Sequence, residues 1–185
     1  SKDKILYSSH HLSHCLYGSI YANDNLDKYA FISCDGVGEG ETMTIYTINH
    51  ENLIKKHWTN FYPNSLGLFY SAITDFMGFD INEGEFKVMS LSSYGNPIYE
   101  KEMDGMFDCK ELKINNDYFE FEKNPLRSFS DFLVKVFGEP YLNLSIKKNF
   151  EKYADIASSA QLILNKSIRN LVLKAKNITG KNKIV

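Results

Sequence analysis

Three short stretches of this sequence bring together residue types that can do chemistry. The first is His10-His11-Leu12-Ser13-His14. Residues four apart on an α-helix lie one above the other, so His10 and His14 can present imidazoles to one cation. His11 and His14, three apart, can do so too. Two histidines do not complete a metal site, and a third ligand, a carboxylate or another imidazole, has to come from elsewhere. A helix start with hydrogen-bonded or solvated imidazoles would show the same triplet. The second stretch is Asp35-Gly36-Val37-Gly38-Glu39. Glycines without Cβ let backbone N–H groups approach an anion, and an Asp at the end of a buried strand can hold a metal or a water. The stretch leads into another strand and no Gly-Lys-Ser/Thr follows, so it is neither a dinucleotide fingerprint nor a P-loop. An ordinary hairpin with an acidic turn explains the same residues. The third is Asn82-Glu83-Gly84-Glu85-Phe86-Lys87. It sets two carboxylates, an amide and a lysine around a glycine, a group that can hydrogen-bond a ribose and meet a phosphate. A solvated charged turn has the same composition.

These residues need elements to hold them. Lys4 to Ser8 reads as a short buried strand, and His10 to Tyr21 as a helix with Leu12, Cys15, Leu16, Ser19 and Ile20 on one face. Asn23-Asp24-Asn25 closes it as a loop. Strands follow at Tyr29 to Cys34 and Glu41 to Ile48, joined by Asp35 to Gly40 as a hairpin turn, and a third strand at Leu53 to Thr59. Pro63-Asn64-Ser65 marks a helix start, and Leu66, Phe69, Tyr70, Ile73, Phe76 and Met77 form its apolar stripe up to Gly78. Asn82 to Gly95 reads as a loop, a short helix and a turn. Beyond it come a helix near Glu100–Phe107, a strand pair around Leu112–Phe121 and a helix near Phe129–Phe137. A long helix from Asn149 to Lys176 precedes a strand that begins at Lys183.

Composition removes several function classes. The 185 residues carry 21 Lys plus Arg against 23 Asp plus Glu, so the basic excess of an electrostatic nucleic-acid binder is missing. Hydrophobic residues at 43% argue for a packed core over disorder. No run approaches the ~18 apolar residues of a membrane span. Cys15, Cys34 and Cys109 fit neither a disulfide framework nor a zinc ribbon, which makes a reducing cytoplasm the expected location. The chain opens without Met and stops at Lys183-Ile184-Val185, so a piece of a longer protein is expected.

The order of the motifs is informative. A strand, H-H-L-S-H on a helix, a strand–D-G-V-G-E–strand hairpin, S-L-G-L-F-Y-S-A-I-T-D-F-M-G-F and N-E-G-E-F-K-V-M-S-L-S-S-Y-G together closely resemble the N-terminal domain of the carbamoyltransferase family. Its members include nodulation-factor O-carbamoyltransferases and those of cephamycin, novobiocin and tobramycin biosynthesis. The similarity is dense from Ser9 to Tyr99, weaker to about Ile146, and returns in the last helix.

The resemblance implies an α/β fold of the actin-like ATPase type with its ribonuclease-H-like core, shared with the tRNA threonylcarbamoyl transferases and incomplete here. It implies an ATP-dependent O-carbamoyltransferase in which a second, adenylate-forming domain, expected outside this chain, makes carbamoyl-adenylate from carbamoyl phosphate and ATP. The domain resembled here passes the carbamoyl group to a hydroxyl of a sugar-like acceptor. The implied metal is Fe2+ or another divalent cation on His10 and His14, completed by an Asp expected beyond Val185. Asp35, Gly36, Val37 and Gly38 match the family's phosphate-side hairpin, and Glu85, Lys87 and Gly95 its nucleotide-side segment. His11 and Glu39 are candidates for the base that takes the acceptor proton. The expected partners are these small molecules, the remainder of the protein and a second copy as a homodimer, with no nucleic acid and no membrane. The alternatives are a phosphotransferase or ATPase of the same fold, or a non-catalytic binding module.

Overall fold

The computed structural model describes residues 7–121, 123, 124, 127–140 and 146–185. Of the strand expected at Lys4–Ser8, residues 4–6 lie outside the described ones, and Tyr7 and Ser8 are not in a strand. In chain order the elements are α1 (His10–Ser19), β1 (Tyr29–Gly38), β2 (Glu41–Ile48), β3 (Ile54–Phe61), α2 (Leu66–Phe76), α3 (Glu85–Ser92), α4 (Glu100–Met106), β4 (Phe107–Asp108), β5 (Lys113–Ile114), α5 (Asp131–Phe137), α6 (Ile146–Thr179) and β6 (Lys183–Ile184). They form a mixed α/β chain with two compact units, Ser1–Tyr62 with Leu171–Val185, and Pro63–Asn170.

The first unit is a mixed sheet in the order β3-β2-β1-β6. β1, β2 and β3 run antiparallel as a meander, and β6 lies parallel to β1. The chain end is held there by two backbone bonds, Val185 N–H to the Ala30 carbonyl at 3.0 Å and Ile32 N–H to the Val185 carbonyl at 2.8 Å. Successive strand residues point to opposite faces, and on β2 both sets are buried: Thr42, Thr44 and Tyr46 on one side, Met43 and Ile45 on the other. On the Tyr46 side, Cys15 of α1 packs with Tyr29, Phe31 and Ile48, and Leu12 borders the cluster. The helix is therefore turned differently from the expected face. His11 and Cys15, four residues apart, point inward, while Leu16 and Ile20 are exposed.

The hairpin turn is also narrower than its glycines suggested. β1 runs on through Asp35 to Gly38, which pairs with Glu41, leaving a two-residue turn of Glu39 and Gly40. Both have positive φ, 55° and 89°, the left-handed geometry that matches the twist of paired strands. Between Cys34 and Gly38 the ladder slips, because four steps along β1 oppose two along β2. Such a bulge re-aims the side chains within it, and Asp35 is the first of them.

The second unit is mainly helical. Ser65 caps α2, its hydroxyl accepting the Leu68 N–H at 3.0 Å, and Gly78 at φ 71° leads the chain away after Met77. Leu66, Phe69, Ile73, Phe76 and Met77 are buried as the stripe required, and fully burying one such side chain stabilises by about 1.5–3 kcal/mol. From α6, Tyr153, Ala157, Ala160 and Ile163 are buried. That helix departs from helical geometry at Asn149, where the sequence reading placed its start (φ −133°). The strand pair expected around Leu112–Phe121 is different: β5 pairs with β4 instead, Asn116–Tyr118 forms a 3-10 turn, and Phe119 makes an isolated bridge to Phe129. Alternating apolar residues there reflect burial of Leu112 and Phe119 from a loop, not a ladder.

Candidate metal centre

The first turns of α1 carry His10 and His14 on its exposed side, one helical turn apart. The β1 bulge brings Asp35 beneath them. His10 Nε2 lies 2.5 Å from Asp35 Oδ2 and 3.0 Å from His14 Nε2, and His14 Nε2 is 3.6 Å from the same carboxylate oxygen. These three donors form a group suited to hold a metal ion. Ligand bonds of about 2.1 Å at tetrahedral or octahedral angles place neighbouring ligand atoms about 3–3.4 Å apart, a range that the separations here, from 2.5 to 3.6 Å, straddle. The donor chemistry fits as well. One N–H on His10 Nε2 cannot point at both neighbours, whereas a cation among the three atoms takes a lone pair from each. Two imidazoles and one carboxylate are the donor set of many mononuclear sites, including those of non-haem iron.

The surrounding residues fix this cluster. Burial alone would raise the Asp35 carboxyl, but hydrogen bonds from His10 and the Gly36 N–H outweigh it and hold the group below its usual value. Asp35 Oδ1 takes that Gly36 N–H at 2.6 Å. His11 turns the other way. It is fully buried, with Nδ1 3.0 Å from the hydroxyl of buried Thr44, and burial lowers its pKa. Its buried Nε2 has no hydrogen-bond partner among the described residues. The His11–Thr44 contact ties α1 to β2, and it leaves the two flanking histidines on the open side.

The other residues named from the sequence separate clearly. Glu39, at the hairpin tip, reaches back so that its carboxylate accepts the His10 backbone N–H at 3.4 Å. Ser9 at the helix start makes no side-chain cap, so Glu39 supplies the negative charge that a helix N-terminus favours. Val37 is exposed. Among the described residues nothing lies near the position of a Gly36 Cβ, while the face of Gly38 is filled by the His10 ring. In the second unit, the Glu85 carboxylate accepts the Asn82 N–H and the Ser71 hydroxyl, each at 3.0 Å. Burial would raise its pKa, and these bonds bring it below the usual glutamate value. The Lys87 ammonium stands 5.4 Å from the Phe79 ring and 5.8 Å from Phe86. Lys87 also lines a cavity of about 280 Å³ walled by Phe79, Leu91, Tyr94, Phe150 and Tyr153. Gly95 lies against the backbone of α6 at Ala154 and Asp155.

Two features go beyond the sequence. Asp35 reads there as an Asp able to hold a metal or a water, with the third ligand of the histidines expected beyond Val185, and the structure brings Asp35 itself to His10 and His14. Thr44 carried no signal of its own, because a threonine in a β-strand is unremarkable until a histidine meets it.

Fold and cluster together define an α/β chain with a candidate metal centre where the first helix meets the first hairpin. Comparison with known families is more specific: residues 1–184 match the family described as carbamoyltransferase N-terminus, and the chain belongs to that family. It is similar to an uncharacterized protein of Synechocystis sp., with 32% identity over 171 residues, covering 90% of this chain and 27% of that protein. It is likewise similar to an uncharacterized protein of Methanocaldococcus jannaschii, with 31% identity over 179 residues, covering 93% of this chain and 30% of the relative. The chain thus spans less than a third of the length of these two relatives. Among the described residues, no helix is long and apolar enough to cross a membrane.

Proposed function

We propose that this chain is the metal-bearing part of an ATP-dependent O-carbamoyltransferase, which moves a carbamoyl group from carbamoyl phosphate, through carbamoyl-adenylate, to a hydroxyl of a sugar-like acceptor. The observation that carries the proposal is the convergence of His10, His14 and Asp35 in a chain of this family. The strand order β3-β2-β1-β6, three antiparallel strands followed by a parallel one, supports an actin-like, ribonuclease-H-like fold.

In this reading His10 Nε2, His14 Nε2 and Asp35 Oδ2 hold a divalent cation such as Fe2+. When bound, that ion supplies Lewis-acid stabilisation to an oxygen gaining negative charge during acyl transfer. The protein's own residues prepare the place. Asp35 brings negative charge to the two imidazoles, and its other oxygen accepts the Gly36 N–H. His11 anchors the helix through Thr44 and points away from the open side, so it serves orientation. Glu39 is hydrogen-bonded to the start of α1 and is the nearer of the two base candidates to solvent. Glu85, Lys87 and Gly95 are assigned to the nucleotide on the resemblance.

The test is to incubate the full-length gene product with carbamoyl phosphate, ATP and candidate sugars, and to follow a mass gain of one carbamoyl group. Carbamoylation that is lost in His10→Ala, together with its bound metal, supports the reading. Absence of both carbamoyl-adenylate formation and carbamoylation of any acceptor overturns it.

A further inference from the structure

The hairpin holds three glycines, Gly36, Gly38 and Gly40, and the structure separates them. Gly40 has φ 89°, a conformation that L side chains rarely adopt, with nothing near the position of an added Cβ. Gly36 has no positive φ and, among the described residues, no neighbour within 4 Å of that position. Gly38 also lacks a positive φ, but its missing side chain matters. A Cβ there would stand 2.6 Å from His10 Cγ and 2.9 Å from His10 Nε2, and closer still to Cδ2. All three of its nearest neighbours are atoms of one imidazole.

We propose that Gly38 is a positioning residue for His10: the space left by its absent Cβ is where the His10 ring lies to reach Asp35, and any larger residue pushes the ring out of the cluster. The two neighbouring constraints leave the ring little else to do. Backbone movement of α1 is opposed by the His11–Thr44 contact on one side and by Glu39 on the His10 N–H on the other. Room must therefore come from the His10 side chain, whose ring nitrogen sits 2.5 Å from Asp35. The glycine's role is steric, and a phosphate approaching its N–H is not needed to explain it. The consequence for a bound metal rests on the metal-centre reading above; the steric relation between Gly38 and His10 does not.

Two measurements separate these. The first is a double-mutant cycle in urea unfolding on the full chain, using Gly38→Ala, His10→Ala and the double variant. Gly38→Ala lowers the midpoint in the wild-type background and loses most of that effect when His10 is already alanine, because the three clashing atoms are gone. If Gly38→Ala alone does not fold while the double variant does, the conclusion is the same. An equal effect in both backgrounds, or none in either, overturns the proposal. The second is Co2+ titration of the wild type and Gly38→Ala, in which Gly38→Ala binds about 10–100-fold more weakly. Wild-type affinity in a folded Gly38→Ala overturns the proposal. A wild type that binds no Co2+ removes the metal-centre reading, and the unfolding cycle then decides the steric relation by itself.

Discussion

The segment from His10 to Glu39 and the segment from Asn82 to Gly95 are both rich in residues that could bind a ligand, and the fold uses them in opposite ways. In the first, side chains from a helix and a bulged strand converge on one another. His10, His14 and Asp35 meet although His10 and Asp35 lie 25 residues apart in sequence. In the second, the same groups that the resemblance assigns to the nucleotide also make local contacts. Glu85 fastens the turn at Asn82, where φ is 70°, and Lys87 lies over aromatic rings. The end of that segment is pinned, with Asp155 accepting the Asn96 N–H at 2.7 Å and Ser159 accepting the Tyr99 N–H at 3.0 Å. Polar residue types alone do not show how the fold uses them: in the first segment the lone pairs converge on a shared point, and in the second they meet nearby backbone and side chains.

The sharpest way to break that contrast is at Gly95. A Cβ there would lie 2.5 Å from the Asp155 nitrogen and nearer still to the Ala154 carbonyl group, all backbone that cannot swing aside. Gly95→Ala is expected to cost about 3 kcal/mol or more in urea unfolding. Wild-type stability would show that the segment is loosely held. Next comes Asp35→Asn, which keeps shape but gives up the negative charge. Co2+ affinity should fall about 10–100-fold with the unfolding midpoint nearly unchanged. A variant that binds Co2+ as the wild type does would take Asp35 out of the ligand set.

Smaller effects sharpen the other half. Glu85→Gln should cost about 1 kcal/mol at neutral pH, the worth of a hydrogen-bonded carboxylate in this setting. The folded Glu85 has its pKa lowered from 4.5, so its stabilising contribution is present above that value and is lost as pH falls through the lower folded value. The gap between wild type and Glu85→Gln should therefore narrow on acidification below pH 4.5, measured as urea midpoints over a pH series. A constant gap would mean that ionised Glu85 is not what holds the turn. Lys87→Met is expected to change stability by less than about 1 kcal/mol, the scale of an exposed cation–π contact. A loss of the proposed carbamoyl-transfer activity in that variant, at unchanged stability, would then report on substrate and not on the fold.

Much of this organisation was legible in the residues. The α2 stripe, its Ser65 cap and its Gly78 ending follow from helical period and capping chemistry, which act over a single turn. The first hairpin was readable for the same reason, two apolar strands around a turn. The rotation of α1 was not. Leu16 and Ile20 look as apolar as Leu12 and Cys15, and only the sheet beneath decides that the His11–Cys15 line faces it. The β4–β5 pairing was missed because two-residue strands carry no usable alternation.

By itself, then, the sequence determined the family resemblance, the helical spacing of His10 and His14, and the strand–turn–strand order that follows them. All of these are encoded by neighbours along the chain. Only the tertiary structure decided that Asp35 completes their cluster, that His11 is an anchor on Thr44, and that Gly38 leaves room for the His10 ring. Those outcomes depend on the register of β1 against β2 and on the bulge after Cys34, which offsets the pairing of everything beyond it. A pairing between distant residues is fixed by the packing of the whole sheet, and no local spacing specifies it.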